Sequence, residues 1–333
     1  MDSWIKSCLD SLQFQNSYMY RRMEVVPLFS GQDPGPEYLT LDKALAHNRI
    51  LITEVSKGGA VPEIRVENRG KIPVLLLDGE EIAGAKQNRV LNTTILVPGE
   101  SSLVIPVSCT ERGRWEYESD AFRDSHVMMD FKIRSKKMAS VGRAMKHRSC
   151  RESDQGEIWE SIEEMSGMAG IESPTGALKD VADAYLEKMS GYLEAFPCEP
   201  GQKGILVYLD NHPAGMEFLS RPEAYARVHG KVIRSYSLDA LLSEETEPLP
   251  YTNPERPAEF LKRIATCPAD SYPGVGLGTE HRIEGTGLVG SALACDQRVL
   301  HMACISEIHD DLRKRSGLHA RHTSSASGRP GHE

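Results

Sequence analysis

Six charged or amide side chains crowd the stretch EEIAGAKQNR, residues 80–89, between two apolar runs. Lys86 and Arg89 bring positive charge, while Gln87 and Asn88 bring amide donors and acceptors. Small Gly84 and Ala85 let a ligand or a second backbone come close. The set suits a ligand that carries phosphate or carboxylate together with hydrogen-bonding edges, such as a nucleotide. For a catalytic site, Glu80 and Glu81 are the candidate general acid and base, with Lys86 and Arg89 as phosphate clamps. The competing reading is a solvated loop whose charges pair with one another. Asn92 extends the candidate ligand-binding set. Glu111, Arg112 and Trp115 join it just after Ser108-Cys109. An arginine beside an aromatic plane is what stacking on a base or sugar uses; a surface turn with one half-buried tryptophan is the alternative.

Other chemistries fit less well. Asp78, Glu80 and Glu81 are oxygen donors, but carboxylates beside a turn are common, and no metal site is expected. The eleven histidines form no HxH or HExxH set. Cys109 lacks the arginine a cysteine phosphatase needs six positions on, because residue 115 is Trp. It is in phase with Leu103, Ile105 and Val107 and reads as a core thiol. Gly285-Thr286-Gly287-Leu288-Val289-Gly290 matches GxGxxG, but no buried strand precedes it and β-like residues follow, so it reads as a hairpin turn. A second polar group, Asp210, Asn211, His212, Glu217 and Arg221, either joins the main site or closes a loop.

These residues need elements to hold them. Val74–Leu77 is a short apolar run suited to a buried strand, and Asp78-Gly79 signals a two-residue hairpin. Residues 90–97 and 103–107 read as further strands. Upstream lie an amphipathic helix within residues 1–16, a loosely alternating stretch over 19–29, a short helix capped by Thr40, and strands at 50–52 and 61–66. Residues 121–198 form a helical insert of three helices, whose basic run from Lys132 to Arg148 reads as a solvated face. Strands at 205–209 and 216–219, helices at 222–228 and 233–242, a Pro- and Glu-rich linker at 244–257 and a β-meander over 274–305 complete the ordered part. Residues 312–333 lack apolar periodicity and are expected to be disordered.

The chain has 333 residues, 40% of them hydrophobic and 26% charged, with a formal net charge of −9. This is the balance of a globular protein and argues against nucleic acid or an anionic membrane as partner. No apolar run approaches the ~20 residues that cross a bilayer. Seven scattered cysteines without a CxxC pair suit a reduced, cytoplasmic setting.

DGEEIAGAKQNRVLNT followed by IPVSCTERGRW resembles the ARG and rhodanese-phosphatase superfamily-associated protein domain. The resemblance is dense over residues 74–115 and continues more weakly through YLDNHPAGMEFLSRPEAYARVHGKVIRSYSLDAL and GVGLGTEHRIEGTGLVG. It implies association with ADP-ribosylglycohydrolases and rhodanese-phosphatases, and so a link to ADP-ribose or NAD metabolism. The expected architecture is α+β: one β-rich antiparallel domain over residues 1–311, with the helical insert and a tail at 312–333. The expected function is binding of a nucleotide-like anion, ADP-ribose or NAD-derived, with no cofactor. An enzyme acting on such a compound and a non-catalytic scaffold for ADP-ribose-processing enzymes are the alternatives.

Overall fold

The computed structural model describes residues 1–243 and 255–307. Its first half runs α1 (Ser3–Asp10), β1 (Gln13–Phe14), β2 (Tyr18–Tyr20), β3 (Met23–Phe29), β4 (Leu39–Thr40), α2 (Leu41–Ala46), β5 (Ile50–Glu54), β6 (Glu63–Asn68), β7 (Val74–Leu76), β8 (Glu80–Gly84), β9 (Arg89–Leu91), β10 (Ile95–Val97), β11 (Ser101–Cys109) and β12 (Phe122–Met128). Four helices follow: α3 (Phe131–Arg148), α4 (Gln155–Ala169), α5 (Leu178–Ala184) and α6 (Leu186–Ala195). The remainder is β13 (Gly204–Leu209), β14 (His212–Leu219), α7 (Pro222–Leu242), α8 (Pro257–Thr266), β15 (Ala269–Pro273), β16 (Thr279–Gly285), β17 (Leu288–Cys295) and β18 (Arg298–Ser306).

Three sheets result. A nine-stranded antiparallel sheet has the order β1-β3-β13-β14-β18-β17-β16-β15, with β2 also on β3. A six-stranded sheet has the order β12-β8-β9-β11-β6-β5, and a three-stranded sheet the order β10-β7-β4. The fold is α+β, as expected.

The central strands of the large sheet, β13, β14, β17 and β18, are buried on both faces because both are covered. On one face, Ile5 and Leu9 of α1 and Phe260 and Ile264 of α8 pack on Leu206, Phe218 and Met302. On the other, Phe131 and Met138 of α3 and Val228, Ile233 and Tyr236 of α7 pack on Ile205, Val207 and Ala303. The two smaller sheets share a core of Ile52, Val66, Leu76, Ile82, Ile95 and Ile105, closed by Leu41 of α2. Each such side chain contributes roughly 1.5–3 kcal/mol when fully buried. α3 begins at an Asp130 cap that accepts from the Lys132 amide, and α4 at an Asp154 cap that accepts from the Glu157 amide.

Several expectations are corrected. Asp78-Gly79 does turn the chain, with Gly79 at φ +87, but it joins no hairpin. β7 pairs with β10 and β4 instead of β8, so the chain changes sheets here. The region 90–97 is broken at 92–94 into β9 and β10. The stretch 121–198, expected to hold three helices, opens with β12 and holds four. The two helices expected over 222–242 are one continuous α7, entered through Pro222 at its first turn. The glycine hexad turns β16 into β17, as a hairpin should. The tail at 312–333 and most of the 244–257 linker lie outside the described residues.

Candidate functional site

Strands β8 and β9 form the hairpin that carries KQNR. Residues 85–88 make its turn, with Ala85 at φ 44. Register decides which side chains meet. Ile82 pairs with Arg89 and Glu81 with Val90, while Cys109 of β11 pairs with Arg89. Paired residues project to the same face, so Arg89 and Cys109 share one face and Glu81 takes the other.

Arg89 is fully buried. Its Nη1 donates to Gln87 Oε1 at 2.9 Å and to Cys109 Sγ at 2.8 Å. Its Nη2 lies 3.8 Å from Glu54 Oε1. Neither Nε nor Nη2 has a hydrogen-bond partner among the described residues, and neither does Glu54 Oε2. Above this pair, Lys86 Nζ sits 5.1 Å from the ring centres of both Trp115 and Tyr117, and Arg89 lies 5.7 Å from that of Trp115. Trp115 and Tyr117 are 44% and 49% exposed, so the stack opens to solvent. The loop between β5 and β6 crosses it: Lys86 Nζ donates to Gly58 O at 2.8 Å and Tyr117 Oη to Lys57 O at 3.4 Å. Gly59, at φ +74, lies against Lys86 and Trp115, and a Cβ there would crowd both.

The other expected ligand-binding residues are occupied otherwise. Asn88 Oδ1 accepts from Gly84 N and Arg114, and its amide donates to Glu111. Glu111 also binds Arg114 and Thr175. Burial works against its carboxylate, yet these donors hold it below the usual range. Arg112 turns away to stack 5.5 Å over Trp159 of α4. Asn92 bridges Ser108 and the carbonyl of Arg151. The lip is therefore Lys86, Arg89, Trp115 and Gln87, joined by Glu54 and Tyr117, which sequence reading did not single out. Burial pushes the Cys109 thiol up to about 11, against the pull of Arg89, which suits a core thiol.

Glu80 and Glu81 do not join the lip. Glu80 accepts from Lys231 of α7 at 2.9 Å and from the Leu77 amide at 3.0 Å. Glu81 accepts from Thr110 at 2.6 Å. Burial drives its carboxyl up to about 7, in spite of that bond.

A second charged cluster lies inside the molecule, where β7 and β10, α3 and the large sheet meet. Asp78, Arg134, Lys137, Glu217 and His301 are each 1% exposed or less. Lys137 Nζ donates to Asp78 Oδ1 at 2.9 Å and to Leu91 O at 2.8 Å. Arg134 bonds Glu217 and lies 3.6 Å from Asp78. His301 stands 3.5 Å from Glu217 and 2.7 Å from Thr94 Oγ1. Beside it, Thr93 donates to Glu280 at 2.7 Å, and Arg151 and Arg282 pair with that carboxylate. A Cβ on Gly79 would strike Arg134, so the turn must be glycine for the arginine to fit. Arg134 and Lys137 correct the expectation of a solvated basic face on α3. The second polar group divides: Glu217 enters this cluster, Asp210 pairs with Arg22, and Arg221 binds the carbonyls of Gly35 and Pro36.

The chain belongs to the ARG and Rhodanese-Phosphatase-superfamily-associated Protein domain family, whose model matches residues 11–305. No curated protein and no solved structure matches it. Among the described residues, no helix is long and apolar enough to cross a membrane, and no group of three or more His, Cys, Asp or Glu is placed to hold a metal ion.

Proposed function

We propose that the chain binds a nucleotide-like anion, ADP-ribose or an NAD-derived compound, at the lip formed by Lys86, Arg89 and Trp115. The observation that carries this is Arg89: a fully buried guanidinium with two nitrogens lacking hydrogen-bond partners among the described residues. It lies beneath an exposed tryptophan and a second cation. A buried charged donor left unbonded costs free energy, and a phosphate would supply the missing acceptors. Trp115 and Tyr117 offer planes for a base, and Lys86 a second charge. The Gly58-Gly59 segment is the cover that must shift. ADP-ribose carries phosphates, hydroxyls and a flat base, and the association that the resemblance implies favours it among nucleotides. The reading is of binding without turnover, because both candidate acids are engaged away from the lip: Glu81 projects from the other face of the sheet and Glu80 is held by Lys231 and the Leu77 amide.

A thermal-shift panel tests it. ADP-ribose or NAD should raise Tm more than inorganic phosphate or adenosine, and the gain should shrink with salt. Trp115→Ala should abolish the gain while leaving the unliganded Tm near wild type. Release of nicotinamide or ribose phosphate during incubation would move the reading to an enzyme. A flat response to all four compounds at millimolar concentration and low salt would overturn it and leave the scaffold reading.

A further inference from the structure

A cavity of about 190 Å³ lies between β12 and helices α5, α6 and α7, away from the lip. Met128, Leu178, Met189 and Leu238 give it apolar walls, and Asp130, Lys179, Asp183 and Arg234 are the charged groups that line it. A bulge in β12 shapes the opening. The pairing with β8 slips between Asp124 and Met128, and His126 takes φ 60. Asp124 and Ser125 side chains brace that bulge by accepting from the amides of His126 and Val127. Bulges of this kind commonly re-aim a strand beside a site.

Asp130 is the informative residue. It is 3% exposed, and its Oδ1 caps α3 by accepting from the Lys132 amide at 2.9 Å. Its Oδ2 has no partner among the described residues. Around it stand Asp239 of α7 and Lys132 of α3, whose Nζ is 2.5 Å from Asp239 Oδ1. Two carboxylates thus stand beside the same ammonium, which is paired with Asp239. Arg234 also lines the cavity and turns its Nη2 to the carbonyl of His126 at 3.2 Å. At the mouth, Lys179 and Asp183 pair with each other.

We propose that this cavity is a binding site for a small apolar amine, with the ring among the four apolar side chains and the ammonium on Asp130 Oδ2. The volume suits one six-membered ring with a short arm, since an apolar cavity of ~150 Å³ accommodates benzene. Burial and Asp239 push the Asp130 carboxyl up to about 7 despite Lys132, so near neutrality a proton takes the place the ammonium would fill. The site is independent of the lip and of the function proposed for it.

Benzylamine and phenylacetate, matched in shape and opposite in charge, are the probes, titrated calorimetrically into the full chain. Benzylamine should bind at least tenfold more tightly than phenylacetate. Asp130→Asn, which keeps an acceptor to cap α3, should weaken benzylamine at least tenfold. Ala182→Trp, at the half-buried mouth, should block it without touching the core, and decides the matter if the Asn variant fails to fold. The proposal is overturned if benzylamine does not bind, if phenylacetate binds as well, or if benzylamine binding survives Ala182→Trp.

Discussion

Two charged clusters built from one sequence motif have opposite characters. Asp78, Thr93 and Thr94 reach inward to Lys137, Glu280 and His301, while Lys86 and Arg89, only a few residues away, form an outward lip. In the interior, carboxylates and cations from the Asp78-Gly79 turn, α3, β14 and β18 meet in near balance. At the lip, two cations face one buried carboxylate, Glu54, with aromatic planes open to solvent. A closed cluster of paired charges holds elements together; the function proposed for the lip rests on a cation below an exposed ring. Burial alone does not separate them, since Arg89 and Arg134 are equally buried. Nor does unfilled bonding, since Arg134 Nε, Asp78 Oδ2, Glu217 Oε2 and His301 Nε2 also lack hydrogen-bond partners among the described residues; the half-exposed rings beside the lip do.

The largest effect should come from breaking the interior cluster. Arg134→Ala leaves Glu217 and Asp78 buried beside one less cation, and removing one partner of a buried pair costs about 3–5 kcal/mol. Chemical denaturation should show a loss of that size with the lip's ligand response otherwise intact in whatever fraction folds. A loss under about 1 kcal/mol would mean that the interior charges are not what joins α3 to the large sheet.

The next effect depends on pH. Glu81 is raised from its ordinary 4.5 to about 7 by burial. The folded state therefore binds this proton more tightly than the unfolded chain. Its contribution is fully present below about 4.5 and is lost as pH rises through about 7. At ~1.4 kcal/mol per pKa unit, the span is roughly 3 kcal/mol. Glu81→Gln keeps an acceptor for Thr110 and removes the titration. The variant should match wild type near pH 4.5 and be more stable at pH 8. Parallel stability curves across that range would show that Glu81 carries no such penalty.

Part of this contrast was legible in the sequence. The apolar runs at 74–77 and 205–209 marked buried strands, but the polar stretch 80–89 read as a connection between strands, whereas Glu80–Gly84 is β8 and only 85–88 make the turn. What failed were partners chosen at long range. Asp78-Gly79 has the turn chemistry of a hairpin, yet Leu76 pairs with Ile95, which no local signal specifies. Arg134 and Lys137 sit one residue from the apolar positions Ile133 and Met138 and look like ordinary flanking charges. Their partners Glu217 and Asp78 are 83 and 59 positions away. α7 looked like two helices because Gly230 interrupts its pattern. It stays whole because Val228, Val232, Ile233 and Tyr236, on both sides of that glycine, are buried in one core, where packing outweighs a helix propensity cost of about 1 kcal/mol.

The smallest effect on stability should come from Lys86, and it separates the two regions most directly. Its ammonium makes one hydrogen bond, to Gly58 O, and two cation–π contacts with half-exposed rings. Such contacts are worth about 0.5–1 kcal/mol each at exposed sites, and ordering the long side chain offsets part of that. Lys86→Ala should therefore cost no more than ~1 kcal/mol, well below Arg134→Ala. Ligand stabilisation should respond in the reverse order. Removing Lys86 takes away half of the lip's positive charge, so the Tm gain from ADP-ribose should drop sharply and lose most of its salt dependence. Lys86→Arg should restore the salt dependence in part, because charge is kept while the fit between the two rings is changed. A Lys86→Ala protein that melts early would place this residue with the interior cluster as a structural cation. One that melts normally and still responds fully to ADP-ribose would remove Lys86 from the site and leave Arg89 and Trp115 to account for any binding.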